Sequence, residues 1–88
     1  MHAIVVSVTI EDVERATKFL NDEIVPRVSQ APGFHAGWWV TIDNTSGRGT
    51  IIFESEEAAR SVASMIDQQP GEFVTIDSIE VGEVAAHA

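Results

Sequence analysis

Residues 3–10 read Ala-Ile-Val-Val-Ser-Val-Thr-Ile, and neither alternating set of side chains is polar enough to be left in water. Ile4, Val6, Val8 and Ile10 form one face; Ala3, Val5, Ser7 and Thr9 form the other. β-Branched residues suit a pleated strand, and a strand apolar on both faces is covered on both. Whatever else the chain builds must supply two covers for this strand.

The next 21 residues supply one of them. Glu11 or Asp12 opens a helix, with Thr9 and Asp12 spaced as a capping-box variant and Glu11, Asp12 and Glu14 suited to its positive end. Val13, Ala16, Leu20, Ile24 and Val28 recur at spacings of three and four, with Phe19 beside them. Pro26 has no N–H to donate, so it kinks this helix or restarts it as a final turn. Pro32-Gly33 then releases the chain. From Phe34 the period is two: Phe34, Ala36, Trp38, Val40 and Ile42 share one face, and His35, Gly37, Trp39, Thr41 and Asp43 share the other. Residues 43–49 are rich in turn formers, and residues 50–53 make a third strand that closes a hairpin. Ser55 caps a second helix whose inner side carries Ala58, Ala59, Val62, Ala63, Met65, Ile66 and Gln69, and Pro70-Gly71 ends it. Residues 73–84 form a last strand, and the final four residues a frayed tail.

The order β-α-β-β-α-β predicts an α+β, ferredoxin-like domain spanning residues 1–88, with a four-stranded antiparallel sheet and both helices on one face. Two helices cover one side only. The other side needs a second cover, and a second copy packed sheet to sheet is the simplest, with Val6 and Ile76 expected at the contact. The chain is therefore expected to be a homodimer.

Charge narrows the partners. Fourteen acidic against five basic residues leave a net charge of −9, and the five cations, Arg15, Lys18, Arg27, Arg48 and Arg60, are scattered. Nucleic-acid binding relies on clustered Lys and Arg, so neither nucleic acid nor an anionic membrane surface is expected. There are no apolar runs of membrane-spanning length, no signal-peptide pattern and no cysteine, which fits a cytoplasmic protein. His2, His35 and His87 are too far apart in the sequence to form a familiar metal motif, so no metal and no other cofactor is expected.

Three segments resemble the dimeric α+β-barrel superfamily, and within it the antibiotic-biosynthesis-monooxygenase-like proteins. They are Val25-Pro26 near the end of the first helix, Ala31-Pro32-Gly33-Phe34 at the entry to the second strand, and Ile52-Phe53-Glu54-Ser55-Glu56-Glu57-Ala58-Ala59 leading into the second helix. The resemblance implies two sheets packed face to face, with a pocket in each subunit between helices and sheet. It also implies a range of activities, from cofactor-independent oxygenation of aromatic polyketides to none known. The haem-degrading branch carries Asn, Trp and His where this chain has Ser7, Phe53, and Ala63 or Ser64. Haem degradation is therefore not expected.

The tryptophan pair is the sharpest candidate for a site. One reading makes Trp38 and Trp39 packing residues, one in the core and one in the dimer contact; the other places one of them on a pocket wall, stacked on a flat apolar or aromatic ligand. Ser7, His35, Thr41 and Phe53 are the further candidate pocket-lining residues. Which face of the second strand meets the helices stays open: its cleaner apolar face is the even one, the resemblance points odd residues of strands one and three toward the pocket, and a bulge near Gly37 reconciles the two. Two functions remain: a cofactor-independent, oxygenase-like enzyme, or a non-catalytic dimer that binds a ligand or a protein partner.

Overall fold

The computed structural model describes residues 1–67 and 73–88. Strands β1 (His2–Ile10), β2 (Phe34–Ile42), β3 (Ser46–Phe53) and β4 (Val74–Glu83) form one antiparallel sheet in the order β2-β3-β1-β4. A helical arm runs through α1 (Val13–Phe19), a π turn (Leu20–Ile24) and α2 (Val25–Ser29); α3 (Glu56–Asp67) is the second helix. This is the expected ferredoxin-like fold. The end of the second helix at Gln69 and Pro70-Gly71 lies outside the described residues.

Local chemistry accounts for the element ends. Asp12 caps α1, its carboxylate accepting from the Arg15 N–H at 3.1 Å. Thr9 takes no part in that cap and instead donates its hydroxyl to Asp77 at 2.8 Å. Ser55 accepts from the Ala58 N–H at 3.2 Å and caps α3. Loss of such a cap costs about 1 kcal/mol. Asp12→Ala is therefore expected to lower the thermal midpoint by a few degrees and leave the fold intact, measured by circular dichroism. Along α3, Arg60 donates two hydrogen bonds to Glu56 and holds its carboxyl below the ordinary value. That pair supports the helix at neutral pH and is lost as the pH falls through the depressed folded-state value of Glu56.

Pro26 leaves its mark one turn upstream. With no N–H on residue 26 the regular ladder cannot continue, and the Val25 N–H reaches back five residues to the Leu20 carbonyl. The helix therefore widens into a π turn before α2 begins.

The hairpin differs from expectation. Asp43 and Asn44 have φ of 55° and 58°, and the Thr45 N–H bonds to the Ile42 carbonyl, so a two-residue turn of the I′ kind closes it. β3 thus begins at Ser46, and Gly47 and Gly49 are strand residues, not part of the turn.

The core lies between sheet and helices. Ile4, Val28, Ile51, Phe53 and Ala59 are almost fully buried, with Val6, Val62 and Ala63 close behind. Val6 and Ile76 belong to this side, paired in register with Gly49 and Ile79, and with Val8, respectively. They are not on the uncovered face, as the alternation had been expected to put them. A bulge in β4 explains much of the ambiguity: Ser7 pairs with Ser78 and Val8 with Ile76, so Asp77 is an extra residue and the inward set switches from Val74 and Ile76 to Ile79 and Val81.

Candidate functional site

β2 and β3 position Trp39, and their glycines decide how it lies. Trp39 is opposite Gly49 in the ladder and two residues from Gly37, on the same face of the sheet. A Cβ built on Gly37 would fall 2.9 Å from the benzene ring of the indole, and one built on Gly49 would fall 3.1 Å from its pyrrole edge. The indole therefore lies flat across both glycines, with one π face against the backbone and the other turned toward the helices. Gly47 continues the same floor: a Cβ there would sit 3.1 Å from the side-chain tips of Val8 and Ile10.

Above this floor the helical arm does not close down. α3 packs closely on β1, β3 and β4, and α2 on β2, whereas α1 and the π turn stand farther from the sheet. A partly open cleft of about 310 Å³ results. Its sheet wall comes from Val6, Val8, Ile10, Trp39, Val40, Thr41, Gly47, Arg48, Gly49, Ile51, Val74 and Ile76; its helix wall comes from Ala16, Thr17, Phe19, Leu20, Asn21, Ile24 and Val25, with Ile66 from α3. The volume is at the small end of ligand pockets, roughly 300–1,000 Å³.

The wall is overwhelmingly apolar. Asn21 spends an amide N–H on the Thr17 carbonyl at 3.0 Å. Among the described residues the Trp39 indole N–H and the Thr17 and Thr41 hydroxyls have no hydrogen-bond partner. Among the described residues Arg48 is the only ionisable one on the wall. It stands between two glycines that face the helices, in register with Ser7 and Val40, so its side chain belongs to the opposite face. Its guanidinium donates to the Gly47 carbonyl at 2.9 Å.

The six expected pocket residues divide. Trp39 and Thr41 are on the cleft wall. Ser7 is on the uncovered side of the sheet, because the even residues of β1 are the ones that face the helices. Trp38 is there too, 59% exposed, one residue out of phase with Trp39. His35 is the unpaired residue of a bulge: Phe34 pairs with Phe53 and Ala36 with Ile52, leaving His35 exposed on the edge strand. The bulge thus falls at 35, two residues before Gly37, and it turns Phe34 inward against Phe53, ring centroids 6.0 Å apart, while Trp39 further on also faces the core. Phe53 is fully buried in the core and does not reach the cleft.

Gly47, Gly49 and the π turn are the cleft-forming parts that sequence reasoning missed. The signal for the glycines was their spacing of two around Arg48, opposite a tryptophan-bearing strand; turn chemistry masked it. Among the described residues no group of three or more His, Asp or Glu side chains is arranged to hold a metal. No described helix is long and apolar enough to cross a membrane.

The fold is similar to that of HapK from Hahella chejuensis, whose crystal structure superposes with a TM-score of 0.62 over 100% of this chain and 96% of that one, at 9% identity. At that identity the likeness is one of fold. No family model matches the sequence, and no curated protein does.

Proposed function

We propose that this protein binds a small, flat, largely apolar molecule in the cleft between the helical arm and the sheet, and that two copies pair through their uncovered sheet faces. The indole of Trp39, bedded on Gly37 and Gly49, carries the first part. Two residues without side chains give up packing area that a strand ordinarily uses, and the gain is one half-buried aromatic plane at the floor of an apolar cleft. The reading is in keeping with the antibiotic-biosynthesis-monooxygenase-like resemblance, in which a pocket occupies this place. Binding is favoured over oxygenase chemistry because no described ionisable side chain is directed into the cleft, so neither a general base nor a cation for a developing enolate is at hand.

The second part rests on the uncovered face. Trp38 and Val40 are more than half exposed, and Val5 and Ile42 are close to 40%. The same face bears Arg48 toward one edge, and Glu80 and Asp77 toward the other. A two-fold axis lying between two such faces and parallel to the strands would bring apolar strip onto apolar strip and Arg48 toward the β1–β4 side of the partner, the kind of self-complementarity a paired interface needs.

Fluorescence tests the site. Trp38→Phe leaves Trp39 as the sole emitter, and Trp39→Phe leaves Trp38. Titration with planar phenols and quinones is expected to quench the first variant with saturation and to leave the second with no saturable change. Saturable quenching confined to Trp38, or none in the unmodified protein, contradicts the assignment.

A further inference from the structure

We propose that the cleft selects uncharged planar ligands carrying a hydrogen-bond acceptor, and rejects the carboxylate analogues of the same ring system. The inference rests on the binding reading above and specifies the ligand's charge.

Three observations converge on it. The first is the wall itself. Besides Arg48, its polar side chains are the Trp39 N–H, the hydroxyls of Thr17 and Thr41, and the Asn21 amide, all neutral. The one nearby guanidinium, on Arg48, is turned to the other face of the sheet and is engaged with the Gly47 carbonyl. An anion entering the cleft would leave water without meeting a cation, and an unpaired buried charge is strongly disfavoured. The second is the floor. A tryptophan π face carries the negative part of the ring quadrupole, which repels an anion laid across it. The third is the field around the site. The net charge is −9, and the helical arm over the cleft carries Asp12, Glu14, Asp22 and Glu23. Of the three cations on the same arm, Arg15 is paired with Asp12 at 3.6 Å and Arg27 with Glu23 at 3.7 Å, while Lys18, which has no ion pair among the described residues, is not on the cleft wall. Anions are therefore repelled before they arrive as well as after.

The acceptor follows from the unpartnered donor. The indole N–H lies beside Gly49 and has no hydrogen-bond partner among the described residues. Covering Trp39 with a wholly apolar ligand removes water from that N–H without replacement, whereas a carbonyl or ring-nitrogen acceptor at the ligand's edge satisfies it.

The test compares three ligands of one ring system by isothermal titration of the full chain at pH 7: methyl 2-naphthoate, sodium 2-naphthoate and naphthalene. The ester is expected to bind at least tenfold more tightly than the carboxylate, and more tightly than naphthalene. A carboxylate affinity within tenfold of the ester overturns the charge selection, and naphthalene binding as tightly as the ester overturns the acceptor. Absence of binding by all three overturns the binding reading itself, and the inference with it. The Trp39→Phe variant completes the comparison: it should bring the ester down to the affinity of naphthalene, and an unchanged preference for the ester contradicts the role given to the indole N–H.

Discussion

Gly37→Val is expected to weaken binding of a planar ligand by more than tenfold while the chain still folds. The Cβ of any side chain at residue 37 falls 2.9 Å from the far end of the Trp39 indole, a separation that real atoms do not sustain, so the ring must tilt off the sheet. Tilting carries it up into the cleft and removes the flat floor. Overpacking of this kind costs about 1–3 kcal/mol of stability, part of it offset by the better strand propensity of valine. Gly82→Val is the control. Nothing lies within 4 Å of a Cβ at residue 82, so there the strand gains a β-branched residue without a clash. Urea denaturation and ligand titration of the two variants separate the effects: Gly37→Val loses both stability and binding, and Gly82→Val keeps the binding. Equal affinity in both would mean that the glycine floor does not shape the site.

Trp38→Glu is expected to turn a dimer into a folded monomer. Trp38 is already 59% exposed in the isolated chain, so a carboxylate there meets water and not the core. In a paired assembly the same carboxylate sits in an apolar contact beside Val40 and Val5, where an unpaired charge costs several kcal/mol. Light scattering after gel filtration should give about twice the 9.5 kDa chain mass for the unmodified protein and one chain mass for the variant. Val6, first expected at the contact, is 7% exposed beneath the helices; a charge there unfolds the domain and says nothing about pairing.

The element order, the cap at Ser55 and the interruption at Pro26 were legible because each follows from local chemistry: period, a capping oxygen, a missing N–H. The face of each strand was harder. A period of two separates Trp38 from Trp39 but does not say which one points to the helices, and single-residue bulges at His35 and Asp77 change the phase along β2 and β4. A bulge is a tertiary event; it pairs two residues against one on a neighbouring strand and has no firm local signature. Residues 43–49 were misread for a related reason. Asn and Gly both favour turns, yet Asp43 and Asn44 with positive φ already complete the hairpin, which frees Gly47 and Gly49 to serve the sheet. The cleft itself was illegible, since it depends on how far α1 and the π turn stand from the sheet, a distance that helical periodicity does not encode.

The central claim is that Trp39, and not Trp38, floors a ligand site. The two indole N–H groups of the chain make this directly measurable, because each contributes its own cross-peak to a ¹H–¹⁵N correlation spectrum, assignable with the single Trp→Phe variants. On titration with methyl 2-naphthoate the Trp39 indole peak should move progressively and saturate, with an added downfield component as its N–H gains an acceptor, while the Trp38 indole peak stays in place. Movement of the Trp38 peak alone, or of neither at saturating ligand, contradicts the account.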